Sequence, residues 1–306
     1  MAEDEESLLA LLADENCTAV VLSGRVWFGG DLTELRKPLL VAEGASITIN
    51  QHITLGEGGL LWVEGYAESI FTIEEGQVVL SGDGVIVGSL LQLNSGGLVQ
   101  LGGTLNCSCY CLEEDTIFEE AVSVSTSKAL EVACRDTNVK AIRIDGSVCV
   151  TEMLDVNVPL LVSEGSRLYS QGEDGKLNVF SSAVVNYGSL DCSFWFDNVD
   201  NILLNRGTCS TAGGLWFSGP GGNGCAVLNF GNMSFRDYNA IWADFYNFNT
   251  VSVEHVNEYD MLGINFACFY NCGRLDINEG AEAQFASKFV NTGDVDMPFG
   301  LGTHFG

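Results

Sequence analysis

Asn186-Tyr187-Gly188, Asn205-Arg206-Gly207, Asn229-Phe230-Gly231, Asn247-Phe248-Asn249, Asn271-Cys272-Gly273 and Asn291-Thr292-Gly293 write one short phrase six times across the second half of the chain. The asparagines recur about twenty residues apart, a period at which each repeat is one supersecondary unit that buries its apolar face only against its neighbours. Between the phrases lie short apolar runs bounded by Gly, Asn or Ser, which read as strands. The phrase itself reads as the corner of a coil. Glycine there is expected to supply positive φ, and asparagine to tolerate a left-handed backbone. Coils stacked about 4.8 Å apart would also let equivalent asparagines hydrogen-bond one another as a ladder. A structural role at Asn186, Asn205, Asn229, Asn271 and Asn291 therefore outweighs substrate binding.

Working outward, a second regularity appears. Ser7–Ala13 reads as a short helix behind acids that suit the positive end of its dipole, and Leu130–Asp136 reads as its copy. Ala19–Phe28 is matched by Ala141–Val148. Lys37-Pro38-Leu39-Leu40-Val41-Ala42-Glu43-Gly44 is matched by Val158-Pro159-Leu160-Leu161-Val162-Ser163-Glu164-Gly165, so two of the 4 prolines fall at equivalent places. We read an internal duplication with two related segments, 1–116 and 117–306. Each opens with a helix able to cover the open end of a coil, which otherwise exposes unpaired backbone and apolar cross-section. The first segment uses glycine-rich corners in place of the Asn-x-Gly phrase. The fold class is all-β, a parallel β-solenoid.

Composition narrows the function classes. The chain has 306 residues, ample for a large core, and 46% are hydrophobic, so it is not a disordered acidic polymer. Thirteen basic against 41 acidic residues give a net charge of −28, which argues against nucleic acid or an anionic membrane as partner. No run of about 18 uncharged apolar residues predicts membrane insertion. The start, Met1-Ala2-Glu3-Asp4-Glu5-Glu6, is the opposite of a basic n-region, so no signal peptide is expected. Eleven scattered cysteines do not make a small disulfide framework. Cys107, Cys109 and Cys111 alternate onto one strand face. They are poorly spaced to bridge or to hold a metal, and are expected to be small hydrophobes inside a coil.

The duplicated module, Ala19–Ile49 and Ala141–Leu168, entering Asn-x-Gly coils, resembles repeats found in large cell-surface proteins of gut Firmicutes and related bacteria. The resemblance implies a right-handed parallel β-helix, adhesin-like, with an extracellular or cell-surface location.

An enzyme is the rival reading, because parallel β-helices include polysaccharide lyases and glycoside hydrolases. Such sites need two positioned carboxylates, or an acidic calcium nest with a base. The acids Asp191, Asp197, Asp200, Asp237, Asp244, Glu254 and Asp260 and the bases Arg206, Arg236 and His255 show no recurring pair, and no nucleophile elbow, phosphate loop or zinc pattern is present. No catalytic, cofactor-binding or metal residue is assigned. Aromatics gather at Phe194-Trp195-Phe196, Trp216-Phe217, Trp242 and Tyr246. Since alternate residues of each coil must pack, these are expected to fill the coil. Facing outward instead, Trp195, Trp216 and Trp242 would form a stacking platform for sugars, with Asp197 and Asp244 bonding hydroxyls. The sequence thus leads to a non-catalytic module that binds a protein or glycan, with self-association through an open coil end as a third reading.

Overall fold

The computed structural model describes the chain except residues 30, 31, 33, 94–96, 113, 172–173, 181, 198–199, 212–213, 218–224, 237–238, 255–263, 280, 282, 298–303 and 306, together with the side chains of Gln51, Asp115, Asp197, Ile264, Asn265, His304 and Phe305. The fold is a β-solenoid of about 12 turns. Contacts divide it into two compact units, Met1–Asp115 and Thr116–Gly306.

The first unit begins with the helix Glu5–Ala13. The Asp4 carboxylate accepts from Ser7 N at 2.9 Å while Ser7 Oγ accepts from Asp4 N at 3.2 Å, so two orphan donors of the first turn are satisfied reciprocally. Leu8 on this helix is fully buried in the unit's core. Two stacked sheets follow. Val20–Leu22, Pro38–Val41, Leu60–Val63, Gln77–Leu80 and Gly97–Gln100 form one, and Arg25–Phe28, Ser46–Leu55, Tyr66–Ile73, Val85–Gln92 and Thr104–Cys111 form the other, with Glu34–Leu35 beside Ser46–Leu55. Each strand pairs in parallel with the equivalent strand of the next coil, as Leu39 does with Val20 and Leu61.

The second unit repeats this opening in atomic detail. Its helix is Ser127–Arg135, capped by Thr126, whose Oγ1 accepts from Ala129 N at 3.2 Å. Asp136, expected at the helix end, is its C-cap. Both helices stop at an aspartate, Asp14 or Asp136, whose carboxylate accepts the backbone N–H of an asparagine two residues on, Asn16 or Asn138, at 2.9 Å in each case. Those bonds hold both carboxyls below the usual aspartate range. Leu130 occupies the place of Leu8 and is likewise fully buried. The Glu-Gly turns also correspond. Gly44 has φ 78° and Gly165 φ 73°, with open space around an added Cβ, so glycine is needed there for its backbone alone.

Three lanes of strands run through the second unit. One lane is an eight-stranded sheet that includes Ser147–Val150, Ser189–Asp191 and Asn232–Phe235. The other two belong to a fourteen-stranded sheet. Leu154–Val156, Lys176–Phe180, Ser193–Asp197 and Leu215–Phe217 make one, and Ile142–Ile144, Leu160–Val162, Ala183–Asn186, Ile202–Asn205 and Ala226–Asn229 make the other. They merge in Asn239–Asn247, a continuous strand that pairs with Leu215–Phe217 by its first half and with Ala226–Asn229 by its second. Inside sits an aromatic core in which Phe245 stacks on Phe269 at 4.9 Å and meets Phe266 edge-on at 5.2 Å.

The Asn-x-Gly phrase lies at the corner entering the eight-stranded sheet, and the expected ladder is there. Asn186 Nδ2 donates to Asn205 Oδ1 at 2.8 Å, Asn205 to Asn229 at 2.7 Å, Asn229 to Asn247 at 2.8 Å, Asn247 to Asn271 at 2.7 Å and Asn271 to Asn291 at 2.7 Å. The residues between Asn and Gly stack as well. Phe230 lies on Phe248 at 4.5 Å, and the Arg206 guanidinium sits 5.1 Å from the Phe230 ring.

The reason for the glycines differs from the expectation. None of Gly188, Gly207, Gly231, Gly273 or Gly293 has positive φ. What excludes a side chain is the coil behind: a Cβ on Gly231 would lie 2.1 Å from Gly207 O, and one on Gly273 2.0 Å from Asn249 O. Asn249 is the informative exception. Above it the bond from Thr250 N to Gly231 O stretches to 3.4 Å, whereas the equivalent Asn232 N to Gly207 O and Asp294 N to Gly273 O bonds are 2.9 Å. A corner can therefore take a Cβ by prising two coils apart. We expect Gly231→Ala to cost about 2 kcal/mol, one weakened hydrogen bond plus local overpacking, read as a lowered urea midpoint. An unchanged midpoint would remove the close-approach explanation.

The cysteine cluster also departs from expectation. Cys192, Cys209 and Cys225 are buried, and burial pushes the thiols of Cys192 and Cys209 up to about 12. Cys107, in contrast, is only half-buried, and Cys109 and Cys111 are exposed. Their strand, Thr104–Cys111, is the last of its sheet, so no further described strand stacks on it.

Candidate functional site: an outward tryptophan row

Alternation along three strands separates the aromatics that the sequence left together. Phe194 and Phe196 point into the core of the second unit while Trp195 between them is 50% exposed. Leu215 and Phe217 are buried around Trp216, 39% exposed. Ile241 and Ala243 are buried around Trp242, 44% exposed. The expectation that these aromatics fill the coil thus holds for phenylalanine and fails for all three tryptophans. Phenylalanine is wholly apolar and of a size that stacks coil on coil, as Phe196 does on Phe217 at 4.2 Å. The indole carries an N–H that needs water or a partner, which favours the outer face.

Register brings two of the three together. Trp195 pairs directly with Trp216, their rings 6.3 Å apart and tilted by 37°. Trp216 pairs in turn with Ala240, so Trp242 lies on the next coil, two residues further along its strand. Behind Trp195 the row continues through Asn178 to Asp155, and Asn178 Nδ2 donates to Asp155 Oδ1 at 3.0 Å. The outward row thus reads Asp155, Asn178, Trp195, Trp216, one residue per coil at about 4.8 Å per step. The side-chain oxygen of Asn178 is buried and has no hydrogen-bond partner among the described residues. Beside the tryptophans runs a groove of about 240 Å³ lined by Lys176, Ser193, Phe194, Trp195, Gly214 and Trp216. Asn239, fully buried, holds one wall by accepting from Leu215 N at 2.6 Å.

The two acids expected to serve this platform do not both do so. Asp244 is 5% exposed and lies past a register shift in Asn239–Asn247, where the strand has left the lane of Trp216 and pairs with Ala226 and Cys268. Burial, with Asp244 nearby, raises the thiol of Cys268 and pushes the Tyr270 hydroxyl up to about 12. Asp244 is therefore buried beside the half-buried Cys268 and Tyr270, away from the tryptophan row. Asp197 continues the Trp195 strand, but its side chain lies outside the described residues, as do Asp237, His255 and Asp260. Among the enzyme candidates, Asp191 is engaged by Arg167 at 2.8 Å and Glu254 by Arg236 at 3.0 Å. Asp200 is exposed with φ 65°, a turn residue. Among the described residues no group of three or more His, Cys, Asp or Glu is placed to hold a metal ion.

What sequence reading missed is Asp155, Asn178, Lys176 and Gly214. Nothing in their local sequence marks them. They join the site through the strand pairing between coils, and the Asn ladder, which begins at Asn186, does not reach the coils of Asp155 and Asn178. The chain matches no protein-family model, no curated protein and no solved structure.

Proposed function

We propose that the protein is a non-catalytic binding module, adhesin-like, that holds a glycan along the outer row of its second unit. The observation that carries this reading is the row Asp155, Asn178, Trp195, Trp216, in which two exposed indoles are continued by two hydrogen-bonding side chains. Indole faces stack on the apolar faces of sugar rings, and the exposed Asp155 carboxylate, held by Asn178, bonds their hydroxyls. A step of about 4.8 Å per coil is close to one sugar ring, so a chain lying along the solenoid axis meets a new side chain at each residue. A net charge of −28 repels polyanions and favours neutral glycans. The strand-turn pattern resembles that of bacterial cell-surface repeats, and that resemblance is what supports a place at the cell surface.

Binding to a panel of neutral and acidic glycans, followed by tryptophan fluorescence, tests this. Trp195→Ala is expected to weaken the bound glycan at least about tenfold, a loss of about 1.4 kcal/mol, without moving the unfolding midpoint, because the side chain is an exposed contact residue. Binding unchanged in both Trp195→Ala and Trp216→Ala would remove the platform. Release of new reducing ends or unsaturated products from any glycan of the panel would replace the binding module with an enzyme.

A further inference from the structure

The strand Thr104–Cys111 pairs on one side only, with Val85–Gln92, and leaves its other edge open among the described strands. Along it, Cys107 and Cys109 project to the same side. Cys107 packs against the core of the first unit, and Cys109 is exposed. Their sulfurs are 3.7 Å apart and share a hydrogen bond. Two thiols in contact cannot both ionise freely. The first thiolate is stabilised by the S–H of its neighbour, and the second proton is then held. The hydrogen bond from Cys107 brings Cys109 down to about 7, while Cys107 is held well above the ordinary thiol range. The result is an accessible nucleophile beside a sheltered partner.

We propose that Cys107 and Cys109 form a thiol–disulfide exchange pair, with Cys109 the attacking sulfur, Cys107 the resolving sulfur and small-molecule disulfides as the oxidant. The Cys109 thiolate attacks one sulfur of the disulfide, whose S–S bond breaks, and one thiolate leaves and takes a proton from water. Cys107 then gives up its proton and attacks Cys109 Sγ. The mixed bond breaks and the second small thiol departs. Two electrons pass from the protein pair to the disulfide, which is reduced to two thiols as Cys107 and Cys109 join. Excess dithiol reverses both steps.

The backbone allows this closure and keeps it labile. Residues two apart on a strand have Cα atoms about 6.6 Å apart, near the upper end of the bridgeable range of about 4.4–6.8 Å, so closing the sulfurs to about 2.05 Å requires the strand to pleat more sharply. An inner strand, hydrogen-bonded on both sides, resists that. An edge strand yields on its open side. A bridge formed against such resistance is readily reduced, which suits reversible exchange better than a permanent staple.

The test uses the full chain and oxidised glutathione, with non-reducing peptide mapping by mass spectrometry. The wild type and Cys111→Ala should both yield the Cys107–Cys109 bridge, and Cys107→Ala should stop at glutathione on Cys109. Alkylation of Cys109 by iodoacetamide at pH 7 should slow about threefold in Cys107→Ala. A thiol near 7 is about half ionised against about 3% for an ordinary one, and its weaker nucleophilicity takes back about fivefold. Persistent glutathionylation of the wild type, a bridge that uses Cys111 instead, or an unchanged alkylation rate in Cys107→Ala would each overturn the pair. Unaltered far-UV circular dichroism shows that the variants fold.

Discussion

Asn229→Ala is expected to lower the stability of the second unit by about 4 kcal/mol. Asn229 is fully buried at the middle of the ladder. Its Oδ1 accepts from Asn205 at 2.7 Å, and its Nδ2 donates to Asn247 Oδ1 at 2.8 Å and to Thr250 O at 3.0 Å. Alanine removes three hydrogen bonds and, more importantly, strands partners that water cannot reach. Each buried polar group left unpaired costs about 1–3 kcal/mol, which outweighs the net value of the bonds themselves. Asn205 Nδ2 keeps a second acceptor, Asn232 O at 3.1 Å, which moderates the total. Urea unfolding of wild type and variant measures the difference, and a loss below about 1 kcal/mol would show that the ladder is incidental to stability. Asn291→Ala is the internal comparison. Asn291 is exposed at the far end of the ladder, where water can replace its partners, so its loss should cost far less.

Phe245→Ala is expected to be comparably severe, about 4 kcal/mol, through a different mechanism. Phe245 is fully buried and touches three other rings: it stacks on Phe269 at 4.9 Å, meets Phe266 edge-on at 5.2 Å and leans on Phe235 at 6.1 Å. Parallel strands on either side fix the coil spacing, so the walls cannot collapse into the vacated space, and the cavity term adds to the lost transfer energy. Phe245→Leu keeps much of the volume and should cost less than about 1.5 kcal/mol. Equal losses for the leucine and alanine variants in thermal or urea unfolding would contradict a cavity origin. Since Phe245 and Phe269 share partners, the double alanine variant should lose less than the sum of the single losses.

How much of this was legible depended on whether a residue announces its own environment. The Asn-x-Gly series did, because a polar side chain recurring among apolar strands has few explanations other than a ladder. Pro38 and Pro159 did too, since a proline opening a Leu-Leu-Val run marks the same strand twice. Phe194-Trp195-Phe196 did not: three consecutive apolar residues carry no polar alternation, so nothing local says which faces inward. Cys107, Cys109 and Cys111 alternate correctly for an interior face, but no further described strand pairs with theirs, and Cys109 and Cys111 are exposed. The corner glycines misled for a related reason. Their requirement comes from the carbonyl of the coil behind, which a reading of local backbone preference cannot see. Asn178 and Asp155 were invisible because they join the tryptophan row only across coils.

The ladder has one more property, its direction. Each of the five Asn–Asn bonds runs from the amide N–H of an earlier coil to the amide oxygen of the next, and Asn186 Oδ1, at the foot, has no partner among the described residues, the residue before it in register being Val162, which has no side-chain donor. A coil docking one residue out would turn its asparagine outward and present an apolar side chain to the waiting amide, leaving a dry donor at every misplaced join. The loops between corners differ in length, as the separations of 19, 24, 18, 24 and 20 residues between successive asparagines record. The chain can therefore vary its loops without losing count of its coils.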